Sequence, residues 1–170
     1  MILTGTDIKK AVKEGSIEVS PYDPRFVGPN SLDVHLHPEM RFYTEKVLDA
    51  RQPPSVLSVT IPDCGYLLFP GHLYLGRTVE RTYTPQHVPK LGGRSSTGRL
   101  GINIHQTAGF GDLGFNGTWT LELSVVQPVR IYPGIRIGQI WFMSVSGAVQ
   151  QIYDGQYQGQ IDATPSGGVE

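Results

Sequence analysis

From Val56 to Ser144 the chain never runs far without a glycine or a proline. That punctuation constrains the fold more than any other feature. Inside a helix each glycine costs about 1 kcal/mol and each proline about 3 kcal/mol relative to alanine, so long helices are excluded here. What survives between the breaks is short and rich in β-branched and aromatic residues. The segments Ser58–Ile61, Gly65–Phe69, His72–Thr78, Val88–Leu91, Ile102–Thr107, Gly117–Ser124, Val129–Tyr132 and Gln139–Ser144 are predicted as strands. Pro70-Gly71, Gly92-Gly93 and Pro133-Gly134 are predicted as turns between them. Upstream, Leu32, Val34 and Leu36 alternate with Asp33, His35 and His37, which predicts a half-buried strand. Ile17-Glu18-Val19 is a further short strand candidate, ended by Pro21. Only two helices are expected. One is capped by Thr4 or Thr6, buries Ile8, Ala11 and Val12, and stops at Gly15. The other spans Ser96 to Arg99. The expected architecture is mostly β, an antiparallel barrel or sandwich of jelly-roll type with an N-terminal helix.

The 170 residues suit one domain, taken as 1–170, with a polar, glycine-rich tail over 155–170 expected to be mobile. A formal net charge of −1 does not suit a nucleic-acid polymer or an anionic membrane surface as partner. A small phosphate-bearing ligand stays open, since a few placed cations suffice for it. With one cysteine, Cys64, there is no internal disulfide and no cysteine-rich metal site. No basic, then apolar, leader is seen at the N-terminus, and no stretch has the roughly 18 apolar residues of a membrane span. A cytoplasmic protein is the expectation.

Three segments hold residues suited to chemistry. Gly92 to Gly101 places hydroxyls and two guanidinium groups, Arg94 and Arg99, within six residues between glycines. That composition suits a polyphosphate site, and equally a solvated turn. Asp112 stands between Gly111 and Gly114 in a loop joining two strands. It would bind a sugar hydroxyl, hold a water or form an Asx turn. Glu122 lies between Leu121 and Leu123, so it faces away from the core side of its strand. It is a surface acid unless that face lines a pocket, where it would serve as a proton carrier. His35 and His37 share a strand face, but no third metal ligand accompanies them. The zinc deaminase signature, H-x-E followed by P-C-x-x-C, is absent. Trp119 and Trp141 are expected to be packing aromatics.

In order, these segments resemble the deoxycytidine triphosphate deaminase family, which shares the fold of the deoxyuridine triphosphatases. Gly28-Pro29-Asn30-Ser31-Leu32-Asp33-Val34 is similar to the family's "GPASVDL" stretch. Tyr66 to Gly71, Tyr74 to Thr78, Arg94 to Gly101, His105 to Gly109, Asp112, Thr120-Leu121-Glu122, Pro133-Gly134, Ile137 to Gln139 and Tyr157 to Gln160 continue the match. The chain departs from the family at Phe110-Gly111-Asp112-Leu113, where W-I-D-P is usual, and at Gln156, where relatives often carry a lysine.

The resemblance implies a distorted jelly-roll or β-barrel of the dUTPase-like type, and a homotrimer with sites at subunit interfaces. It implies deamination of dCTP without zinc. Glu122 would be the general acid/base. Ser95 and the Ala108 carbonyl would hold the attacking water, and Arg99 would stabilise developing charge. Arg94, Ser95, Ser96, Thr97, Gly98 and Arg99 would meet the triphosphate, partly from a neighbouring subunit. Asp112 would bind the 3′-hydroxyl, and the backbone of Thr120, Leu121 and Glu122 would read the pyrimidine. Gln139, Tyr153, Tyr157 and Gln160 would contact phosphates as the tail folds over, with Mg²⁺ carried on the nucleotide. Gly109 and Phe110 resemble the branch that also cleaves diphosphate to give dUMP, Gly109 leaving room for a second water. A deaminase that stops at dUTP, a plain dUTPase and a non-catalytic nucleotide-binding relative are the other outcomes.

Overall fold

The computed structural model describes residues 1–169. Helix α1 (Gly5–Glu14) begins where expected, with the Thr4 side chain accepting from the Asp7 N–H. It ends at Gly15 in a left-handed conformation, φ 76°. Ile8 and Ala11 anchor it to the core. The strands follow as β1 (Glu18–Ser20), β2 (Leu32–His35), β3 (Glu39–Tyr43), β4 (Val56–Thr60), β5 (Tyr66–Leu68), β6 (Tyr74–Tyr83) and β7 (His87–Gly93). After the short helix α2 (Ser95–Arg99) come β8 (Ile102–Asn103), β9 (Asn116–Val125), β10 (Val129–Ile131) and β11 (Arg136–Ser144). No helix is long and apolar enough to cross a membrane among the described residues.

Every pairing between strands is antiparallel. The largest sheet runs β4-β3-β6-β9-β8, with β1 on the far half of β6. A second sheet is β2-β11-β7, and β10 pairs with β5. The expected jelly-roll character holds, but these sheets do not close into one barrel: they face each other across a shared core. Leu32, Val34 and Leu36 point into it, as the alternation predicted, with Leu91, Leu121, Leu123, Ile140 and Phe142. Burial of such side chains is worth about 1.5–3 kcal/mol each and holds the sheets together.

Two features depart from the sequence expectation. The sequence does not mark β3, which lies between β4 and β6 and pairs with both. β6 runs on to Tyr83 through the polar run Glu80-Arg81-Thr82, because β1 and β9 clasp that half from both sides. The β6–β9 register slips between Arg77 and Arg81. The buried Thr78 hydroxyl patches the slip by accepting the Trp119 N–H at 2.9 Å and donating to the Glu80 carbonyl at 2.7 Å.

Candidate active site

The leucines flanking Glu122 are both fully buried. With Leu121 and Leu123 driven into the core, the two-residue period of β9 turns Thr120 and Glu122 to the opposite face. There they line a cleft of about 420 Å³. Its walls include Ala108, Phe110 and Asp112 from the loop before β9, and Tyr153, Tyr157 and Gln160 from the tail. Eight residues expected from sequence therefore converge on one cavity.

The Glu122 carboxylate is held on one side only. Its Oε2 accepts the Gln106 backbone N–H at 2.6 Å, and Oε1 has no partner among the described residues. The Gln106 side-chain amide donates to the Glu122 carbonyl at 3.2 Å and to the Ser124 hydroxyl at 3.0 Å, which locks the loop to the strand. The Glu122 backbone N–H is spent on the Ile104 carbonyl at 2.9 Å. In this arrangement that N–H is not free to read a pyrimidine edge. Leu121 faces the core, so only its backbone is at the site's disposal.

The loop carrying Ala108 to Asp112 is zipped onto β7. The Leu91 N–H donates to the Gly109 carbonyl at 2.7 Å, and the Gly111 N–H donates to the Pro89 carbonyl at 2.9 Å. A Cβ on Gly109 would lie 2.7 Å from the Leu91 carbonyl oxygen and 2.8 Å from His105 Nε2. The missing side chain thus permits close approach of the loop to β7. Gly111 is short for a related reason: the Trp119 ring occupies the place of a side chain there. That tryptophan packs on Phe115 with ring centroids 5.1 Å apart and donates from Nε1 to the Thr82 hydroxyl at 2.9 Å. It is a packing aromatic, as expected, and also part of the cleft wall. The Asp112 side chain is exposed and its carboxylate makes no hydrogen bond among the described residues, so it forms no Asx turn.

The tail lies over the same face. The Thr118 N–H donates to the Gln160 carbonyl at 2.9 Å, and the Gln160 amide returns a bond to the Thr118 carbonyl at 2.8 Å. Farther on, the Thr164 N–H donates to the Thr120 hydroxyl at 3.1 Å, and Arg41 pairs with Asp162 at 3.3 Å. Tyr153 accepts the Tyr157 N–H on its hydroxyl at 3.1 Å. Glu170, the last residue of the expected lid, lies outside the described residues.

The Arg94 to Arg99 segment lies elsewhere. None of its six residues lines the cleft. Thr97 is buried and clasps Arg94, accepting its N–H at 3.1 Å and donating to its carbonyl at 2.8 Å. Ser95, Ser96, Gly98 and Arg99 are exposed. Gln139 sits opposite Asp33 and Gly92 on β11, also away from the cleft. One chain therefore holds an acid-bearing cleft and a separate basic segment.

Several cleft residues escaped the sequence reading. Tyr43 was missed because β3 was missed. Thr164 and Ser166 lay beyond the matched tail motif, and Leu73, Leu75 and Phe115 carried no chemical signal. Gln106 stood inside a quoted motif, but its role is a backbone N–H, which side-chain patterns do not reveal. His35 and His37 serve structure: His35 Nδ1 meets the buried Glu80 carboxylate at 2.5 Å, and His37 Nε2 meets Arg77 at 2.7 Å. No group of three or more His, Cys, Asp or Glu side chains that could hold a metal occurs among the described residues.

Residues 2–145 match the family model described as dCTP deaminase-like. A protein of Leptospira biflexa named "dCTP deaminase, dUMP-forming" is 47% identical over 98% of this chain and 95% of its own length. A protein of the same name from Hathewaya histolytica is 47% identical over 98% of this chain and 96% of its own length. Among solved structures, the 2′-deoxycytidine 5′-triphosphate deaminase of Agrobacterium tumefaciens superposes with a TM-score of 0.65 at 23% identity over 83% of this chain, which spans about half (47%) of that longer chain. That likeness concerns the fold. The chain belongs to the dCTP deaminase-like family.

Proposed function

We propose that this protein deaminates dCTP and cleaves the product to dUMP, ammonia and diphosphate, acting as a cytoplasmic homotrimer. The observation that carries the reading is Glu122. It faces a nucleoside-sized cleft with one carboxylate oxygen fixed by the Gln106 N–H and the other free to move a proton. Full-length relatives sharing nearly half their residues and named for this reaction support it.

In the proposed reaction a water adds to C4 of the cytosine while Glu122 takes one of its protons. Glu122 passes that proton to N3, then takes the remaining proton from the C4 hydroxyl and delivers it to the exocyclic nitrogen; the C4–N4 bond breaks, C4 becomes a carbonyl, and ammonia leaves. The Ala108 carbonyl and the Ser95 hydroxyl orient the water, and Arg99 stabilises charge on the ring. A second water then attacks the α-phosphorus, releasing diphosphate and leaving dUMP. Asp112, with its carboxylate unengaged, binds the 3′-hydroxyl. Because Arg94 to Arg99 lie outside the cleft of their own chain, a neighbouring subunit supplies them. Residues 155–169 act as the lid of a single domain, bringing Tyr157 and Gln160 onto the ligand beside Tyr153. Mg²⁺ carried on the phosphate oxygens would supply charge neutralisation on the triphosphate.

The test is a product analysis with dCTP, dCMP and dUTP in parallel. The expected result is dUMP and diphosphate from dCTP in equal amounts. Accumulation of dUTP without diphosphate would leave only the deamination half standing. Activity on dUTP with none on dCTP would overturn the assignment.

A further inference from the structure

The stretch Gly28-Pro29-Asn30-Ser31-Leu32-Asp33-Val34 plays no part in the chemistry above, yet its two partly or fully buried polar side chains hold two of the groups assigned to the phosphates. Asp33 Oδ1 pairs with Arg94 Nε at 3.1 Å, and its Oδ2 accepts from Arg136 Nη1 at 3.3 Å. The Asp33 side chain is only 15% exposed, whereas that of Arg136 is half exposed. Because Arg94 is gripped through Nε, both its Nη groups are left without a partner among the described residues. The buried Ser31 hydroxyl donates to Gln139 Oε1 at 3.2 Å. That contact leaves the Gln139 Nε2 amino group without a partner among the described residues.

The charges point the same way. One carboxylate faces two guanidiniums, so the cluster keeps an unmatched positive charge. Arg99 adds another, having no ion pair among the described residues. Free donors and surplus positive charge, held by a partly buried acid and a buried hydroxyl, make a receptor for a multiply charged anion.

We propose that Asp33 and Ser31 are positioning residues for the triphosphate, acting through Arg94 and Gln139, and that Arg136 is a third guanidinium contacting it. This rests on the reading that the ligand bears a triphosphate. Arg136 supplies a cation at the phosphate end in a chain whose tail carries Gln156 where a lysine is usual in the family.

Asp33→Asn gives a test in which two physical accounts predict opposite signs. If Asp33 only added negative charge, its neutralisation would tighten anion binding. If it orients Arg94 and Arg136, neutralisation weakens binding by roughly tenfold. Binding of inorganic triphosphate to the intact oligomer, measured by calorimetry, reads this without reference to turnover. The expected result is a tenfold weaker Kd for triphosphate, a raised KM for dCTP with kcat nearly unchanged, and dCMP binding little altered. Equal or tighter triphosphate binding in a folded Asp33→Asn overturns the positioning role. If that variant does not fold, Arg136→Gln decides, with Arg136→Lys as the partial rescue: unchanged triphosphate affinity in Arg136→Gln overturns the proposal. Wild-type protein that fails to bind inorganic triphosphate also overturns it. Wild-type protein that binds triphosphate but does not turn over dCTP leaves this inference standing and removes the proposed reaction instead.

Discussion

Replacing Gly109 with alanine adds one methyl group where the loop carrying Ala108 to Asp112 meets β7. Its backbone is not in the left-handed region, so alanine can adopt it without strain. The smaller conformational freedom of the unfolded chain then favours the variant by about 0.4–1 kcal/mol. Against this stands the contact. The new Cβ would meet the Leu91 carbonyl oxygen at 2.7 Å and His105 Nε2 at 2.8 Å, where ordinary contact begins at 3.4 Å. The loop must back away from β7 by roughly half an ångström or more, and overpacking of this kind costs about 1–3 kcal/mol. The retreat also stretches the 2.7 Å bond from the Leu91 N–H to the Gly109 carbonyl. Losing it adds about 0.5–1.5 kcal/mol. The contact wins, and Gly109→Ala is expected to be destabilised by about 2 kcal/mol. Urea unfolding followed by fluorescence would show a lower midpoint at unchanged slope. Because Ala108 moves with the loop, kcat for ammonia release should fall as well. The alternative account, that glycine serves to leave room for a second water, predicts unchanged stability and a shift only in the ratio of dUMP to dUTP. That pattern would refute the close-approach argument.

Glu122→Gln should keep the fold, since glutamine can still accept the Gln106 N–H, while ammonia release drops by about 10²–10⁴-fold; near-normal turnover would remove Glu122 from the mechanism. A mixture of Arg99→Ala and Glu122→Gln chains, each inactive alone, should regain about a quarter of wild-type activity after co-refolding if every site takes its acid and its arginine from different subunits. No recovery would place both on one chain. His37 is depressed below its ordinary 6.5, first by burial and then by Arg77, with Glu39 and Asp162 opposing. As pH falls, the unfolded chain takes up this proton first. Stability from the neutral ring is therefore full above about pH 6.5 and is lost as pH drops toward the lower folded value. Melting temperatures from pH 8 to 5 should fall less steeply in His37→Gln than in the wild type; parallel curves would show that another group governs the acid limb.

What the sequence made legible follows from what side chains alone encode. The alternation of Leu32, Val34 and Leu36 placed β2 correctly, because core facing depends on local period. Thr4 and Gly15 bounded α1 for the same reason. The Leu121-Glu122-Leu123 pattern fixed which way Glu122 points, and the ordered motifs supplied the cleft it points into. The failures lie where partners are distant. Glu39–Tyr43 becomes a strand by pairing with residues 56–60 on one side and 74–75 on the other, and no local signal marks it. The polar half of β6 holds its shape through β1 and β9 in the same way.

The loop from His105 to Asp112 shows what a side-chain motif leaves out. The resemblance over His105 to Gly109 is one of side chains. In the structure two of the loop's contributions are made by the main chain: the Gln106 N–H orients the carboxylate, and the Gly109 carbonyl docks the loop on β7. Neither group changes when the side chain is substituted, unless the substitution moves the backbone. Gly109 is such a position, since its Cβ direction points into β7. The same logic separates Glu122 from Gln106. Removing the acid's proton-carrying group leaves the loop in place, whereas Gln106→Ala keeps the N–H to the carboxylate and loses only the clasp to Ser124 and the Glu122 carbonyl. Gln106→Ala should therefore cost far less activity than Glu122→Gln, on the order of tenfold or less, because a backbone donor still fixes the base. A loss as large as that of Glu122→Gln would mean that the side-chain clasp, rather than the main-chain bond, holds the catalytic geometry.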